Sequence, residues 1–286
     1  MQYDFTTLTE RRGTNSMKWK GPEKELPAWV ADMDFRTAPA ITEAVMEKVG
    51  KGIFGYSWIP ESLLDTVSAW WSRRYGWTMK HEWMHFATGV MPAIHSIVKS
   101  LTAPGDGVVV MTPVYHCFFH AIVTVSPSKT FNIPGINTSF VIVPNEGLRG
   151  RVFWGLDRDQ VGFPSAIAIE ATEAAYGKGE AWVEEVREVL ARNKERVVSF
   201  LHKELPQLHV THREATYLVW IDCSAVTDDA DKLVEHIHKT TGLVVSPGSQ
   251  FRGNGRAWIR LNPATQPERL EEILRRFAEG VRTFAA

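Results

Sequence analysis

The sequence predicts an α/β fold built around a mainly parallel sheet. Short apolar runs of strand length, such as residues 107–111 and 140–143, alternate with longer segments whose apolar residues recur at helical spacing. Runs that are apolar at every position are typical of strands buried on both faces of a parallel sheet. Neither run is long enough to cross a bilayer, so the pattern favours a globular protein.

The first forty residues are predicted to form an extended arm, because glycine and proline interrupt them repeatedly. Three helices follow in this half of the chain, predicted over residues 39–49, 61–75 and 92–101. Gly50 and Gly76 stand where glycine commonly ends a helix. A turn at residues 104–107 then leads into a predicted strand over residues 108–111.

The region around residues 120–124 breaks this regular alternation. Residues 114–122 have a helical pattern, yet a strand over residues 123–125 follows at once, with no glycine, proline, asparagine or aspartate between them. Connections inside α/β units usually contain about 2–6 residues. A helix that runs directly into a strand is physically awkward, so the sequence predicts a splice at this junction.

The second half of the chain continues the α/β alternation. Strands are predicted over residues 139–143, 209–210, 216–222, 243–245 and 257–261. Helices are predicted over residues 150–176, 180–205, 230–240 and 267–284. The last of these is strongly amphipathic, which is typical of a helix packed on a core.

The composition of the chain limits which binding partners and which cellular compartment are expected. The chain has 32 lysines and arginines against 33 aspartates and glutamates, and no basic run, so nucleic acid and anionic membrane are excluded as expected partners. Cys117 and Cys223 are far apart and match no metal or redox spacing, which favours a reducing cytoplasm. The polar N-terminus does not have the pattern of a signal peptide.

Two segments are candidates for binding a phosphorylated cofactor. Lys129 closely follows the predicted strand of residues 123–125, and open α/β sheets bind ligands at the carboxyl ends of their strands. If the Lys129 ammonium is desolvated there, its pKa falls and its amine becomes reactive. The alternative is that Lys129 is an ordinary lysine of a surface loop. Gly89 and Val90 lead into the third helix, where backbone N–H groups could hold a phosphate; an ordinary helix cap is the alternative.

Two further side chains are candidates for a binding site. Tyr115 follows the strand of residues 108–111 and could stack on a flat ring or pack in the core. Arg260 lies in an otherwise apolar strand, so we expect it to bind an anion, either a ligand carboxylate or a structural ion-pair partner. His116 and His120 share a helix face, but no further ligands complete a metal site, and no metal is predicted.

Eight short segments occur in the same order as in MalY/PatB-type cystathionine β-lyases. They are residues 29–35 (WVADMDF), 54–56 (FGY), 88–93 (TGVMPA), 112–115 (TPVY), 126–132 (SPSKTFN), 171–176 (ATEAAY), 214–217 (EATY) and 247–251 (PGSQF). The chain therefore resembles this family over nearly its whole length. Its members are fold-type-I enzymes that use pyridoxal 5′-phosphate (PLP) and are related to class I/II aminotransferases.

The resemblance implies PLP as the cofactor. It also gives roles to residues of the two candidate segments, the one around Lys129 and the one at Gly89 and Val90. Lys129 would bind PLP covalently and move protons during the reaction. The backbone of Gly89 and Val90, with Ser126 or Ser128, would hold the cofactor phosphate.

The resemblance also implies the substrate contacts and the activity. Tyr115 would stack on the cofactor ring, and Arg260 would bind the α-carboxylate of an amino-acid substrate. Tyr56 would reach into the site of a partner subunit, which implies a homodimer. The implied reaction is β-elimination from cystathionine or cysteine conjugates to a thiol, pyruvate and ammonia. An aminotransferase and a non-catalytic regulatory or interaction protein are the alternatives.

The resemblance divides the chain into three parts. Residues 1–45 would form an N-terminal arm with part of the small domain. Residues 46–155 would form an incomplete PLP-binding large domain, and residues 156–286 the small C-terminal α/β domain.

The chain departs from the family at the suspected splice. There the family carries βα units with an Asn-Pro-x-Gly turn and an Asp-Glu-x-His strand end, whose aspartate pairs with the pyridine nitrogen of PLP. Neither motif occurs in this chain, and three units of roughly 30 residues each are missing near residues 122–123. Either the polypeptide lacks this segment, or the natural polypeptide contains it and the sequence omits it. Loss of that aspartate predicts an impaired catalyst.

Overall fold

The computed structural model describes residues 2–107, 123–211 and 215–285. Its helices are α1 (Pro39–Gly50), α2 (Glu61–Tyr75), α3 (Val90–Leu101), α4 (Glu146–Arg158), α5 (Ala168–Lys178), α6 (Glu180–Glu204), α7 (Ala230–Thr241) and α8 (Pro267–Ala285). Its strands are β1 (Leu26–Pro27), β2 (Met84–Ala87), β3 (Val123–Val125), β4 (Ser139–Ile142), β5 (His209–Val210), β6 (Val219–Asp222), β7 (Leu243–Val244), β8 (Ser246–Pro247) and β9 (Trp258–Leu261). Strands and helices alternate along the chain, which confirms the predicted α/β class.

The chain divides into two compact units. The first, which we call the sheet unit, contains the described residues between 37 and 183. The second, the terminal unit, contains the described residues of 1–36 and 184–286. The predicted three-part division at residues 45 and 155 stays a prediction.

The sheet unit is organised around three strands in the order β2-β4-β3. β4 runs antiparallel to both neighbours, with Ala87 opposite Ser139 and Val125 opposite Phe140. β2 and β3 therefore run in the same direction, and their carboxyl ends lie at the same edge of the sheet. Within the described ranges β3 pairs with β4 alone. The predicted strand over residues 108–111 lies outside the described residues.

Apolar packing of α3 and α4 on the sheet stabilises this unit. All four residues of β4 are buried, and the last three, Phe140, Val141 and Ile142, are apolar. The core under the sheet is a cluster of small and branched side chains: Ala87, Ala93, Ile97, Val141, Val143, Val152 and Leu156. Asn145 begins α4 by accepting a 3.1 Å hydrogen bond from the Leu148 N–H, a typical N-cap.

The terminal unit contains a four-stranded antiparallel sheet in the order β5-β6-β9-β8. α7, α8 and the later part of α6 contribute to one apolar core with the inward residues of this sheet, including Val197, Ile221, Ile237, Ile259 and Phe277. β1 adds to this unit by pairing in parallel with β7. The N-terminal segment is thus tied to the C-terminal half.

Two sequence predictions of secondary structure were wrong. Residues 150–176 do not form one helix; α4 ends at Arg158 and α5 begins at Ala168. Gln160 adopts a left-handed φ of 55°, and Pro164 disfavours helix at the residue before it, so the chain cannot continue as one helix. Strand β2 was missed, because its four residues are too few for alternation to stand out. The helix predicted over residues 114–122 falls outside the described residues.

Among the residues that the structure describes, no helix has both the length and the apolar composition that a membrane span requires.

Candidate functional site

The carboxyl ends of β2 and β3 bring two predicted segments to one edge of the sheet. Thr88 and Gly89 follow β2, and Ser126 follows β3. Only β4 lies between these strands, so their ends are separated by two strand spacings, or about 10 Å. This distance suits a ligand with a ring and a phosphate. The ends of strands are also where open α/β sheets bind ligands.

The end of β2 forms an anion-binding helix start. Gly89 has a φ of +118°, a conformation that only glycine adopts without strain, and α3 begins immediately after it at Val90. No side chain caps this end of the helix. The N–H groups of the first turn therefore point towards the sheet edge, where the helix dipole favours a negative charge. The Thr88 N–H is fixed separately, by a 2.8 Å bond to the Val161 carbonyl.

The end of β3 forms a tight turn that its own hydroxyl groups hold. The Ser126 hydroxyl donates to the Thr138 carbonyl at 2.8 Å and lies 2.8 Å from the Ser128 hydroxyl. The Ser128 N–H donates to the same Ser126 oxygen at 3.2 Å. Lys129 follows on this turn and is exposed. Lys129 therefore lies on a hydrogen-bonded turn at the sheet edge.

An aromatic cluster lies under the lysine turn. Phe131, two residues after Lys129, is fully buried against Trp70 of α2 and Tyr176 of α5, with ring centroids 5.3 and 5.7 Å away. The Phe131 carbonyl accepts a 2.6 Å hydrogen bond from Thr37. Burial raises the pKa of the Tyr176 hydroxyl, which therefore stays neutral at physiological pH. These contacts anchor the base of the turn.

Arg260 lies on β9 of the terminal unit and is partly buried. It donates a 2.9 Å hydrogen bond to the Trp29 carbonyl, and the Phe251 ring lies 4.3 Å from the guanidinium carbon. Its side chain also approaches the Ser246 hydroxyl at 3.5 Å. A main-chain carbonyl and a ring face together fix the plane of the guanidinium, which bidentate carboxylate binding requires.

Asp34 is the centre of a buried ionic cluster behind the Trp29 segment. Its carboxylate is 1% exposed and lies 3.0 Å from Lys18, 2.9 Å from Arg11 and 2.8 Å from the Trp19 indole nitrogen. Burial acts to raise the pKa of Asp34, but Lys18, Trp19 and Arg11 outweigh it and lower that pKa. Asp32 joins the cluster through a 2.7 Å ion pair with Arg11.

Four of the remaining candidate residues fall outside the described ranges, and the fifth, Tyr56, lies in the sheet unit. Tyr56 is fully exposed, in a segment without regular structure. Tyr115, His116, Cys117 and His120 lie outside the described residues.

Sequence reasoning missed the roles of Asp34 and Asn262. Both stand in segments that the sequence singled out, the WVADMDF and WIRLN runs. Each is a polar residue between apolar neighbours, and such residues need partners when they are buried. That pattern alone could have predicted that both side chains are buried and bound to other groups of the protein.

Comparisons with known proteins agree with this geometry. The profile of the family described as aminotransferase class I and II matches residues 118–277. The chain is 28% identical to cystathionine beta-lyase PatB of Bacillus subtilis, an alignment that covers 96% of this chain and 98% of PatB. It is 22% identical to protein MalY of Escherichia coli, covering 94% of this chain and 96% of MalY. The predicted MalY/PatB resemblance is confirmed.

Solved structures share the fold. Cystalysin from Treponema denticola, which contains PLP, superposes with a TM-score of 0.92 at 22% identity, covering 99% of this chain and 100% of cystalysin. The PLP-bound C–S lyase from Staphylococcus hominis has a TM-score of 0.89 at 23% identity, covering 98% and 99%. These likenesses confirm the predicted fold-type-I architecture.

The PatB alignment also bears on the suspected splice. It extends over 380 positions, whereas 96% of this 286-residue chain is about 275 residues. About 105 aligned positions of PatB therefore have no counterpart here. That is close to the length of three βα units at roughly 30 residues each.

Proposed function

Because the chain belongs to the aminotransferase class I and II family, we propose that it is a PLP-dependent C–S β-lyase that cleaves cystathionine or cysteine conjugates to a thiol, pyruvate and ammonia. The observation that carries the proposal is the edge shared by β2 and β3. There an uncapped helix start lies about 10 Å, or two strand spacings, from a serine-lined turn that presents a lysine. The lyase names of PatB and the Staphylococcus hominis protein support elimination as the reaction.

The residues present fit the phosphate and the aldehyde of PLP. The N–H groups that begin α3 at Gly89 and Val90 would hold the phosphate, together with Ser126 or Ser128. Lys129 would bind the cofactor covalently through its amine. We propose that Tyr115 stacks on the ring, as the family resemblance implies.

Lys129 would do the proton chemistry of the reaction. When bound, PLP withdraws electrons from the substrate's α-carbon and so acidifies its proton. Once the substrate's amine has displaced it from the cofactor, the free Lys129 amine would take this proton from Cα. The Cβ–S bond would break, and sulfur would leave with the bonding electrons and gain a proton as a thiol. Hydrolysis of the remaining three-carbon fragment gives pyruvate and ammonia. Lys129 is exposed in the described chain, so the desolvation expected from the sequence is not seen there, and support for this role comes from the turn that fixes its main chain.

Arg260 would bind the substrate α-carboxylate, and this assignment gives a quantitative prediction. We expect Arg260→Ala to weaken amino-acid binding by about 2–5 kcal/mol, the range for unpairing a buried charge. The larger values include the cost of leaving the carboxylate without a partner. Equilibrium titration with an amino acid would measure the change; unchanged affinity in the variant would refute the assignment.

We propose a cytoplasmic homodimer in which Tyr56 reaches the partner subunit's site. Tyr56 lies in an exposed apolar segment with Ile53 (72% exposed), Phe54 (62%) and Trp58 (79%). Contiguous exposed apolar side chains of this kind are typical of interfaces.

Pyruvate release from L-cystathionine separates the proposed lyase from its alternatives. A lyase releases pyruvate without any keto-acid acceptor, whereas an aminotransferase requires one for continued turnover. Lactate dehydrogenase with NADH reports even slow release. Pyruvate formed only after a keto acid is added would favour the aminotransferase. A preparation that shows no cofactor absorbance after incubation with PLP would favour the non-catalytic alternative.

A further inference from the structure

We propose that Asn262 is a positioning residue that holds the Arg260 guanidinium in its carboxylate-binding orientation. The inference rests on the proposed function, since it assumes that Arg260 binds the substrate carboxylate. Asn262 itself is 2% exposed and would not touch the substrate. Its effect would pass through the main chain of residues 28–32.

Asn262 uses its side-chain amide and its backbone N–H to hold main chain. Its side-chain N–H groups donate to the Val30 carbonyl at 2.6 Å and the Asp32 carbonyl at 2.7 Å. Its backbone N–H donates to the Ala28 carbonyl at 2.9 Å. Its side-chain oxygen accepts from the Ala264 N–H at 2.9 Å. The buried side-chain amide thus fixes two carbonyls of this segment, and the backbone N–H of the same residue fixes a third.

Arg260 holds the intervening carbonyl of that segment. Arg260 lies on β9 and Asn262 comes directly after the end of that strand, and the side chains of both bind carbonyls of residues 28–32. Arg260 donates to the Trp29 carbonyl at 2.9 Å, between the two carbonyls that Asn262 binds at residues 28 and 30. The Trp29 oxygen also accepts a longer, 3.4 Å bond from the Ser246 hydroxyl, so Asn262 shares in setting its position, and the guanidinium takes its orientation from that oxygen.

Loss of the amide should loosen this segment locally without unfolding it. The Asp32 side chain keeps its ion pair with Arg11, and Asp34 keeps Lys18. Without the Asn262 amide, the Val30 carbonyl loses its side-chain donor and the Asp32 carbonyl keeps only Lys18 at 3.4 Å, so the Trp29 carbonyl between Ala28 and Val30 can shift. A supporting contact that leaves a site slightly loose lowers affinity even though every binding group is present.

Asn193 provides a matched control within the same unit. It is 5% exposed, and its side-chain amide donates to the Pro263 and Thr265 carbonyls, both at 2.8 Å. Asn193→Ala and Asn262→Ala therefore remove the same group from the same kind of two-carbonyl bridge. Their effects on stability should be similar, so a difference in ligand binding reports positioning alone.

The test compares two probes on the PLP-loaded chain by equilibrium titration. L-Norleucine has no leaving group at Cβ and so cannot be eliminated, and pentylamine is the same molecule without the carboxylate. We expect Asn262→Ala to weaken L-norleucine binding about tenfold while pentylamine binding stays unchanged. Asn193→Ala should change neither affinity. If Asn262→Ala does not fold, Asn262→Asp keeps the shape and the acceptor for Ala264 but removes both donations.

The outcomes separate this inference from the proposed function. Unchanged L-norleucine binding in Arg260→Ala would refute the carboxylate site itself. If Arg260→Ala weakens L-norleucine selectively but Asn262→Ala and Asn262→Asp do not, the positioning role is wrong and the lyase proposal stands. Equal losses in Asn193→Ala and Asn262→Ala would likewise overturn it, since the effect would then be general destabilisation.

Discussion

The 286-residue chain should turn over L-cystathionine well below the ordinary enzyme range of about 1–1000 per second, even when it is saturated with PLP. The expected defect lies in proton abstraction at Cα, which depends on the cofactor as an electron sink. In the family an aspartate keeps the pyridine nitrogen protonated. Here no acidic residue stands between Asp106 and Glu146, the stretch that contains the junction and Lys129.

Binding of PLP needs Lys129 and the start of α3, and both are present. We therefore expect the chain to bind PLP but to turn over its substrate slowly. The check is pyruvate release by material whose intact mass equals that of 286 residues. A rate inside the ordinary range would show that another group replaces the missing carboxylate.

Asp34→Asn should destabilise the folded chain by about 3–5 kcal/mol, the range for removing one partner from a buried ion pair. The substitution keeps the shape of the side chain but leaves Lys18, which is 1% exposed at its side chain, without its 3.0 Å partner. Urea denaturation followed by circular dichroism measures the change. Glu235→Gln is the control, because Glu235 forms an exposed pair with Lys239 and its loss should leave the midpoint unchanged.

The pH dependence of this effect has a definite sign. The folded-state pKa of Asp34 is lowered from 3.8, so its ionised form stabilises the fold above about that pH. This stability is lost as pH falls through the lowered folded-state pKa. The difference between the natural chain and Asp34→Asn should therefore be full near neutral pH and shrink in acid. A difference that grows in acid would contradict the ionic origin of the effect.

The parts of the fold that the sequence predicted are those governed by local rules. α2 ends at Tyr75 because Gly76 adopts a left-handed φ of 66°, and glycine at that position was visible in the sequence. Gly89 was predicted as a ligand position because it leads into a helix, and Lys129 because it closely follows the strand of residues 123–125. Their meeting at one edge was not derivable, because it depends on β4 pairing between β2 and β3 across a long sequence separation.

The remaining differences come from tertiary contacts. Pro164 was visible in the sequence as a signal against one continuous helix, whereas the left-handed conformation of Gln160, where the break begins, was not. In the sequence, Asn262 follows the end of a predicted apolar strand. Its side-chain hydrogen bonds to Val30 and Asp32 depend on residues 28–32 packing beside β9, which the sequence does not show. Arg260 was expected to need an anion, yet the fold supplies a carbonyl and a ring as its structural partners.

Borohydride reduction of the PLP-treated chain, followed by peptide mapping, tests most directly whether Lys129 is the cofactor lysine. Reduction fixes PLP to the lysine that holds it, and mass spectrometry then locates the added pyridoxyl group. We expect the label on the peptide that contains Lys129, and no label in Lys129→Ala. A pyridoxyl group on a different lysine, or equal labelling of the Lys129→Ala variant, would contradict the assignment.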